Sequence, residues 1–242
     1  MKKLMSIAAL AVVASVVAAS AQQEVLSANA VGYVKRSVPG GQLFEVASIP
    51  FDNLAATDGT QLYKFGECQA AEDLKPGDKV SFWVAGSQTW ETYTKNARTG
   101  KWPQGALDHQ LMVGEAFFVQ NNSSDVTDVT LAGQVPAEKK IERLIEYEGN
   151  GRFSFVSSPY PVDTTFGATE IAEQLPPGSK VMFWNPVTAW ATYTKTARTG
   201  KWPQGALDTE IKAGAGFFVQ SAGDAGYWEP ERPYSWPCEP GE

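Results

Sequence analysis

Histidine and cysteine are scarce in this sequence, and acidic residues outnumber basic ones. The 242 residues include one His and two Cys, and the formal net charge is −7 at pH 7. Metal sites and proton-transfer sites depend heavily on these two residue types, so we expect no metal site and no cofactor. A chain without a basic tail does not neutralise many phosphates, and nucleic acid is therefore excluded as an expected partner.

The common enzyme signatures are missing as well. The sequence has no Gly-x-Ser-x-Gly elbow, no His-Glu-x-x-His pair, no phosphate-binding Gly-Lys-Ser/Thr loop and no calcium-binding loop. No nucleophile pattern points to His109, and we expect this residue to lie exposed in a loop. A pair of carboxylates for glycoside hydrolysis is the catalytic arrangement that the 27 acidic residues leave open.

One long hydrophobic run is present, near residue 1. Residues 4–17 follow two lysines and precede the small residues Ala19-Ser20-Ala21, a pattern typical of a cleaved signal peptide over residues 1–21. The run is shorter than the roughly 20 residues that a membrane-spanning helix needs, and no later segment approaches that length. We expect export to the periplasm, the cell surface or the medium, with no membrane span in the mature chain.

The two cysteines, Cys68 and Cys238, are far apart in the chain. In an oxidising compartment an even number of cysteines favours a disulfide. The bridge would close a loop of about 170 residues and stabilise the fold by up to about 5 kcal/mol. Two free thiols, or one bond between two molecules, are the alternatives to the predicted Cys68–Cys238 bridge.

Two parts of the chain repeat one another at an offset of about 100 residues. Tyr93–Asp108 (YTKNARTGKWPQGALD) and Tyr193–Asp208 (YTKTARTGKWPQGALD) agree at 15 of 16 positions. Residues 79–83 (KVSFW) likewise return as residues 180–184 (KVMFW). A period of this length indicates a duplicated domain half rather than a solenoid. We therefore expect β repeat one at residues 22–135, β repeat two at 136–222, and a tail rich in proline and aromatic residues at 223–242.

Short β-strands are the dominant pattern within each repeat. Turn-forming Gly, Pro, Asn and Ser separate runs of β-branched and aromatic residues, which in repeat one are residues 31–34, 43–46, 79–84, 89–94 and 116–120. Trp83, Trp90, Trp184 and Trp190 lie in such runs, and we interpret them as core residues. The predicted fold class is all-β, with two internal repeats packed as a pseudo-two-fold barrel or sandwich and short helices in the connections.

A resemblance to known proteins adds to this pattern. Residues 28–34 (ANAVGYV) follow the signal sequence, residues 46–50 (VASIP) have the pattern of a strand, a hairpin carries Trp83, and residues 114–119 (GEAFFV) close the unit. Together these motifs are similar to a group of uncharacterised bacterial secreted proteins made of two all-β repeats behind a signal peptide. The resemblance implies export and a β fold, and it brings no activity and no catalytic residue.

One loop in each repeat gathers positive charge beside an indole. Its cations would bind sulfate or carboxylate groups, the tryptophan face would stack on a sugar ring, and the glutamine would hydrogen-bond to hydroxyl groups. The alternative is structural, with the indoles packed at the end of the fold and an arginine stacked on each. Both interpretations stay open for the candidate ligand-binding residues, which are Arg98, Lys101, Trp102, Gln104, Arg198, Lys201, Trp202 and Gln204.

These patterns predict an exported, non-enzymatic β-repeat protein with a binding role or a structural role in the cell envelope. The expected partner is an anionic polysaccharide or a cell-surface protein. An extracellular carbohydrate-active hydrolase that uses paired carboxylates is the alternative. It is disfavoured because Glu91 and Glu115 have alanine counterparts, Ala191 and Ala215, in repeat two. No catalytic residue is nominated.

Overall fold

The computed structural model describes residues 30–53, 62–136 and 145–235, and over these ranges the protein is all-β, as the sequence predicts. Helices are confined to the connections in this part of the chain, and none exceeds five residues. The signal peptide expected at residues 1–21 lies outside the described residues. No helix of the described ranges is long and apolar enough to cross a membrane.

The described residues of the first half form eight strands, two helices and a 3₁₀ turn at Phe65–Glu67. In chain order the strands and helices are β1 (Val31–Val38), β2 (Phe44–Ser48), β3 (Leu62–Lys64), α1 (Gln69–Asp73), β4 (Lys79–Val84), β5 (Thr89–Thr94), α2 (Gln104–Leu107), β6 (Gln110–Met112), β7 (Ala116–Gln120) and β8 (Thr127–Gln134).

The second half runs through the same succession of elements, including a 3₁₀ turn at Phe166–Ala168. In chain order these are β9 (Ile145–Tyr147), β10 (Phe153–Ser157), β11 (Thr164–Thr165), α3 (Glu170–Gln174), β12 (Lys180–Asn185), β13 (Ala189–Thr194), α4 (Gln204–Leu207), β14 (Glu210–Ile211), β15 (Gly216–Gln220) and β16 (Gly226–Trp228).

All strand pairs are antiparallel, and the two halves use the same strand order. One four-stranded sheet has the order β2-β7-β4-β5 and the other has the order β10-β15-β12-β13. Each half adds two small ladders, β1-β8 and β3-β6 in the first, β9-β16 and β11-β14 in the second. Within the described ranges no sheet closes on itself, so the barrel form of our prediction is not observed.

Each four-stranded sheet carries large apolar side chains on both faces. Successive side chains of a strand point to opposite faces of the sheet. In β4, Val80 and Phe82 are fully buried on one face, and Ser81 and Trp83 point to the other. The face of the first sheet that carries Phe82 packs into one hydrophobic cluster, which we call the first outer cluster. The face of the second sheet that carries Phe183 packs into another, the second outer cluster. Full burial of one such phenyl ring contributes about 2 kcal/mol.

A third apolar cluster joins the two sheets. Its buried members come from both halves, namely Val46, Ala116, Phe118, Phe155 and Phe218. Two backbone hydrogen bonds also cross between the halves at equivalent positions. The N–H of Ser48 donates to the carbonyl oxygen of Gly214 (2.9 Å), and the N–H of Ser157 donates to that of Gly114 (2.8 Å). The shared cluster therefore lies between two sheets whose outer faces carry separate cores.

Short helices α1 and α3 end shortly before a Pro-Gly pair in the sequence, Pro76-Gly77 and Pro177-Gly178. Leu74 and Leu175 take extended backbone angles directly after the helices. Gly77 and Gly178 follow at φ of 96° and 92°, a region that disfavours residues with a Cβ atom. These turns send the chain directly into β4 and β12.

The segment expected to be a tail begins with strand β16. Its residues pair with β9, and the indole of Trp228 is 1% exposed, with its N–H donated to Glu170 Oε2 (2.9 Å). Strand β16 lies beyond residue 222, where the sequence analysis ends repeat two, and it occupies the place that β8 has in the first half. The segment is therefore part of the packed structure at least as far as Trp228.

Cys68 is buried and has no disulfide partner among the described residues, and its Sγ donates to the carbonyl oxygen of Lys64 (3.5 Å). Burial raises the pKa of the unbridged thiol to about 12, which keeps it protonated at neutral pH. Its predicted partner, Cys238, lies outside the described residues. The Cys68–Cys238 bridge therefore stays a prediction.

Candidate functional site

The indoles of the two cation-rich loops are core residues. Trp102 and Trp202 are each 8% exposed, and their N–H groups donate to the carbonyl oxygens of Ala71 (2.8 Å) and Ala172 (2.7 Å). The edge-to-face partner of Trp102 is Phe65, with ring centroids 5.3 Å apart. Neither indole presents a free face to a sugar ring, so the packing interpretation is the one that this geometry supports.

A lysine, rather than the expected arginine, is the cation above each of these indoles. Lys95 Nζ lies 5.7 Å from the Trp102 ring centroid, and Lys195 Nζ lies 5.8 Å from that of Trp202. Lys95 also donates to the carbonyl oxygens of Ala71 (2.8 Å) and Leu74 (2.5 Å) at the end of α1. Desolvation lowers the pKa of Lys195, which is held in the same way. The buried lysine thus ties the loop to a helix end.

The remaining candidate residues of the loops are exposed. Arg98 and Lys101 make no ion pair with a described residue, and the same holds for Arg198 and Lys201. Gln104 donates to Asp108 Oδ2 (2.8 Å), and Gln204 donates to Asp208 Oδ1 (2.8 Å). The loops are attached to different outer clusters, with both sheets between them. They do not form one groove.

An open cleft of about 470 Å³ lies between the two sheets, and equivalent residues of both halves line it. Such a volume falls in the range of small-molecule sites. The matched lining pairs are aromatic, namely Trp83 with Trp184, Trp90 with Trp190, and Phe118 with Phe218. Phe44 of β2 and Phe153 of β10 form a further pair. We call this feature the aromatic cleft.

Cross-strand pairing places the four tryptophans of the aromatic cleft. Trp83 is opposite Trp90 in the β4-β5 ladder, and Trp184 is opposite Trp190 in the β12-β13 ladder. In both pairs the ring centroids are 5.1 Å apart and the rings are inclined by 65°. This edge-to-face arrangement suits the quadrupoles of the rings. Each half therefore supplies one pre-formed indole corner.

The inner indole of each pair also fastens one sheet to the other. The N–H of Trp83 donates to the carbonyl oxygen of Phe153 (3.0 Å), and the N–H of Trp184 donates to that of Phe44 (2.8 Å). By contrast, the N–H groups of Trp90 and Trp190 make no hydrogen bond with a described residue. Trp90 is 38% exposed and so keeps a free surface at the cleft.

The two sides of the aromatic cleft differ in polarity. The hydroxyl oxygens of Ser81 and Thr92 are 2.9 Å apart and hydrogen-bonded on the first side. The residue at the Ser81 position of the second half is Met182, opposite Thr192. None of the described residues that line the cleft is charged.

A second cleft, of about 390 Å³, collects titratable groups. Its lining includes His109 and the carboxylates of Glu115, Glu146 and Glu148. Burial raises the pKa of Glu115 to about 7, although the N–H of Met112 donates to its Oε2 (3.1 Å). Among the described residues no group of three His, Cys, Asp or Glu side chains is arranged to hold a metal ion.

His109 is not the exposed loop residue that we expect from the sequence. Its ring stacks on Phe82, with centroids 3.7 Å apart and planes inclined by 7°. Its Nδ1 lies 3.7 Å from Glu91 Oε2, and burial lowers its pKa. The imidazole ring of His109 therefore packs against the outer cluster that contains Phe82. The residues next to His109 in the sequence do not indicate this packing role.

The four cleft tryptophans, which the sequence pattern predicts to be core residues, line the aromatic cleft instead, and the pattern does not predict a cleft. A usable signal was present in β4 and β12, where Phe and Trp are adjacent and therefore point to opposite faces. Strands that carry large aromatic residues on both faces need a packing partner on each side. Comparison of the chain with protein-family models, with curated proteins and with solved structures finds no match.

Proposed function

We propose that this chain is an exported, non-enzymatic binding protein whose ligand occupies the aromatic cleft. The observation that carries the proposal is a cleft of about 470 Å³ whose walls are built from equivalent aromatic residues of both halves. Aromatic surface left in contact with water is unfavourable by about 25 cal/mol per Å², so a ligand that covers it gains free energy. Exposed apolar clefts of this kind often mark binding sites.

The proposal includes a duplicated fold, with the halves packed as a sandwich around a pseudo-two-fold axis. The reciprocal bonds support it, because Trp83 reaches Phe153 as Trp184 reaches Phe44. The backbone bonds of Ser48 and Ser157 to the opposite half follow the same relation. In such an arrangement the aromatic cleft forms only when both halves are present.

Binding rather than catalysis fits the chemistry of the aromatic cleft. Its described lining offers indoles, phenyl rings, a thioether and two hydroxyls. These groups stack and hydrogen-bond, but none of them exchanges a proton near neutral pH. The cleft is therefore suited to hold a small molecule without changing it.

N-phenyl-1-naphthylamine, an uncharged fluorophore that brightens in apolar sites, tests the proposal. We expect a saturable rise in emission with a dissociation constant in the micromolar range. The variant Trp90→Ala/Trp190→Ala removes half of the indole surface and should weaken binding about tenfold or more. Tyr227→Ala, which removes an aromatic side chain that is 54% exposed and lies outside the cleft, is the matched control. Emission that does not saturate, or equal affinity in all three proteins, would contradict the proposal.

A second candidate function, binding of an anionic polysaccharide, rests on the exposed cations of the two loops. Arg98, Lys101 and their counterparts are free of ion pairs with described residues, so nothing internal competes for them. The indoles take no part, because they are buried. This mode would be electrostatic and strongly weakened by salt.

The hydrolase alternative finds candidate carboxylates in the second cleft. Glu115, with its raised pKa, has the property of a general acid, and Glu146 and Glu148 lie in the same cleft. The proposal of a non-enzymatic protein predicts that no new reducing ends appear when the protein is incubated with polysaccharides.

A further inference from the structure

We infer that the ligand of the aromatic cleft is an uncharged, flat ring molecule with one hydrogen-bonding group, of the phenol or naphthol class. Its polar group lies against Ser81 and Thr92, and its apolar end lies toward Met182. The inference rests on the proposed function, namely that the aromatic cleft is the binding site. It adds the chemical class of the ligand and the direction in which the ligand sits.

The absence of charge on the described lining residues selects an uncharged ligand. An ionised group moved from water into an apolar site without a partner loses several kcal/mol of solvation. Neither the hydroxyls nor the thioether of the cleft offers such a partner. Organic anions and cations are therefore disfavoured at this site.

The shape of the walls selects a flat ring. Two indole corners with the same inclination of 65° stand on the two sides, and phenyl rings lie between them. Trp90 and Phe118 have centroids 5.3 Å apart, and their planes are inclined by 49°. A planar ring that lies against these walls meets both ring faces and ring edges, which is the favourable packing for aromatic molecules.

The difference between Ser81 and Met182 gives the site a direction. Each hydroxyl group carries one donor hydrogen, and in the Ser81–Thr92 pair only one of these hydrogens lies between the two oxygens. The other hydrogen and the remaining lone pairs are left for a ligand hydroxyl or carbonyl group. The thioether of Met182 is at best a weak acceptor. A ligand with one polar end is therefore held in one orientation.

The small number of polar groups also argues against a simple sugar. A pyranose carries several hydroxyl groups, and those that face the cleft walls lose their water partners on entry. The described lining supplies two side-chain hydroxyls, Ser81 and Thr92, on one side. Hexose hydroxyls that face the aromatic walls would stay unpaired, which is unfavourable by about 1–3 kcal/mol for each.

The test compares 2-naphthol with 2-methylnaphthalene, which has the same shape but lacks the hydroxyl group. Both compounds are titrated against bound N-phenyl-1-naphthylamine, and the displacement gives their dissociation constants. In the wild type we expect 2-naphthol to bind about three- to tenfold more tightly, the gain of one net hydrogen bond. Methyl β-glucopyranoside, run alongside, should displace the fluorophore at least tenfold less well than 2-naphthol.

Variants at the two ends locate the polar contact. Ser81→Ala should abolish the preference for 2-naphthol while the affinity for 2-methylnaphthalene changes less than twofold. Thr192→Val, at the position that corresponds to Thr92 in the second half, is the matched control and should keep the preference. Adding Met182→Ser to Ser81→Ala places a hydroxyl opposite Thr192 and should restore the preference.

The outcomes separate this inference from the function on which it rests. Saturable binding of N-phenyl-1-naphthylamine without discrimination between the two naphthalenes overturns the ligand class and leaves the cleft as a binding site. No binding of any of the compounds overturns both. A protein that elutes at twice its mass and binds the fluorophore only on dilution identifies a second copy as the occupant, which also overturns the inference.

Discussion

Tryptophan side chains have three different structural roles in this protein. The acceptor of the indole N–H group distinguishes these roles. Trp102 is 8% exposed and donates to a backbone carbonyl of its own half, so it anchors a loop. Trp83 donates across to the other sheet. Trp90 donates to no described residue and is 38% exposed. The exposed surface, and the lack of a described acceptor for its N–H, distinguish Trp90 from the packing residues of the same type.

Glu115 predicts a pH dependence of stability. Its carboxyl has a pKa of about 7 in the folded protein, raised by burial from 4.5. The folded state thus holds the proton more firmly than the unfolded state does. The stabilising contribution is complete below pH 4.5 and is lost as the pH rises through 7. Glu115→Gln should therefore be more stable than the wild type at pH 8, by about 2–3 kcal/mol, and similar to it at pH 4.

Urea denaturation of both proteins from pH 4 to 8 checks this prediction. The lowered pKa of His109 acts in the opposite direction on absolute stability, but it cancels in the difference between the two proteins. Glu229→Gln, at an exposed carboxyl group, serves as the control and should give a difference that does not depend on pH. If the difference in free energy of unfolding between Glu115→Gln and the wild type also did not depend on pH, burial would not raise the pKa of Glu115 as we infer.

At the level of elements, each of the two cation-rich loops is fixed to a short helix by a buried lysine, Lys95 or Lys195. Helices of five residues have too few internal hydrogen bonds to be stable alone. Lys195 donates to the carbonyl oxygens of Ala172 (2.9 Å), Glu173 (3.0 Å) and Leu175 (2.7 Å) of α3 and its end. The lysine satisfies carbonyl groups that a helix leaves free at its C-terminus.

Replacing this lysine should destabilise the fold without touching the aromatic cleft. Lys95→Met leaves the carbonyl oxygens of Ala71 and Leu74 without their charged donor. We expect a loss of about 2 kcal/mol in the free energy of unfolding, and a similar loss for Lys195→Met. Lys101→Met, at an exposed position of the same loop, should change it by less than about 0.5 kcal/mol. Equal effects of Lys95→Met and Lys101→Met in urea titrations would contradict this assignment.

The sequence predicts the strands better than it predicts their partners. The runs at 79–84, 89–94 and 116–120 coincide with β4, β5 and β7, since alternation and turn residues are local signals. The order β2-β7-β4-β5 depends on contacts distant in the chain, which no local pattern contains. Trp90 could not be separated from Trp102 for the same reason, because its exposure depends on how the second sheet approaches the first.

On the scale of the whole molecule, the proposed duplication would create features of two kinds. A feature on the facing surfaces becomes a single site, as Trp83 and Trp184 do in the aromatic cleft. A feature on the outer surfaces stays as two copies, as the loops with Lys101 and Lys201 do. The two halves differ within the cleft, where Ser81 corresponds to Met182, whereas the outer loops are nearly identical in sequence. Under our proposal, this difference would give the single site a direction.

Because the loops lie on separate clusters, their cations should act independently of each other and of the cleft. On heparin-agarose, Lys101→Ala and Lys201→Ala should each lower the salt concentration needed for elution, with additive effects in the double variant. Lys35→Ala, at an exposed lysine of β1, is the control and should elute with the wild type. Saturating heparin should also change the dissociation constant of N-phenyl-1-naphthylamine by less than twofold, because its site carries no charge. If heparin displaced the fluorophore, or if Lys101→Ala alone abolished retention, the polyanion would instead bind at one shared site, and the separation of outer loops from inner cleft would be wrong.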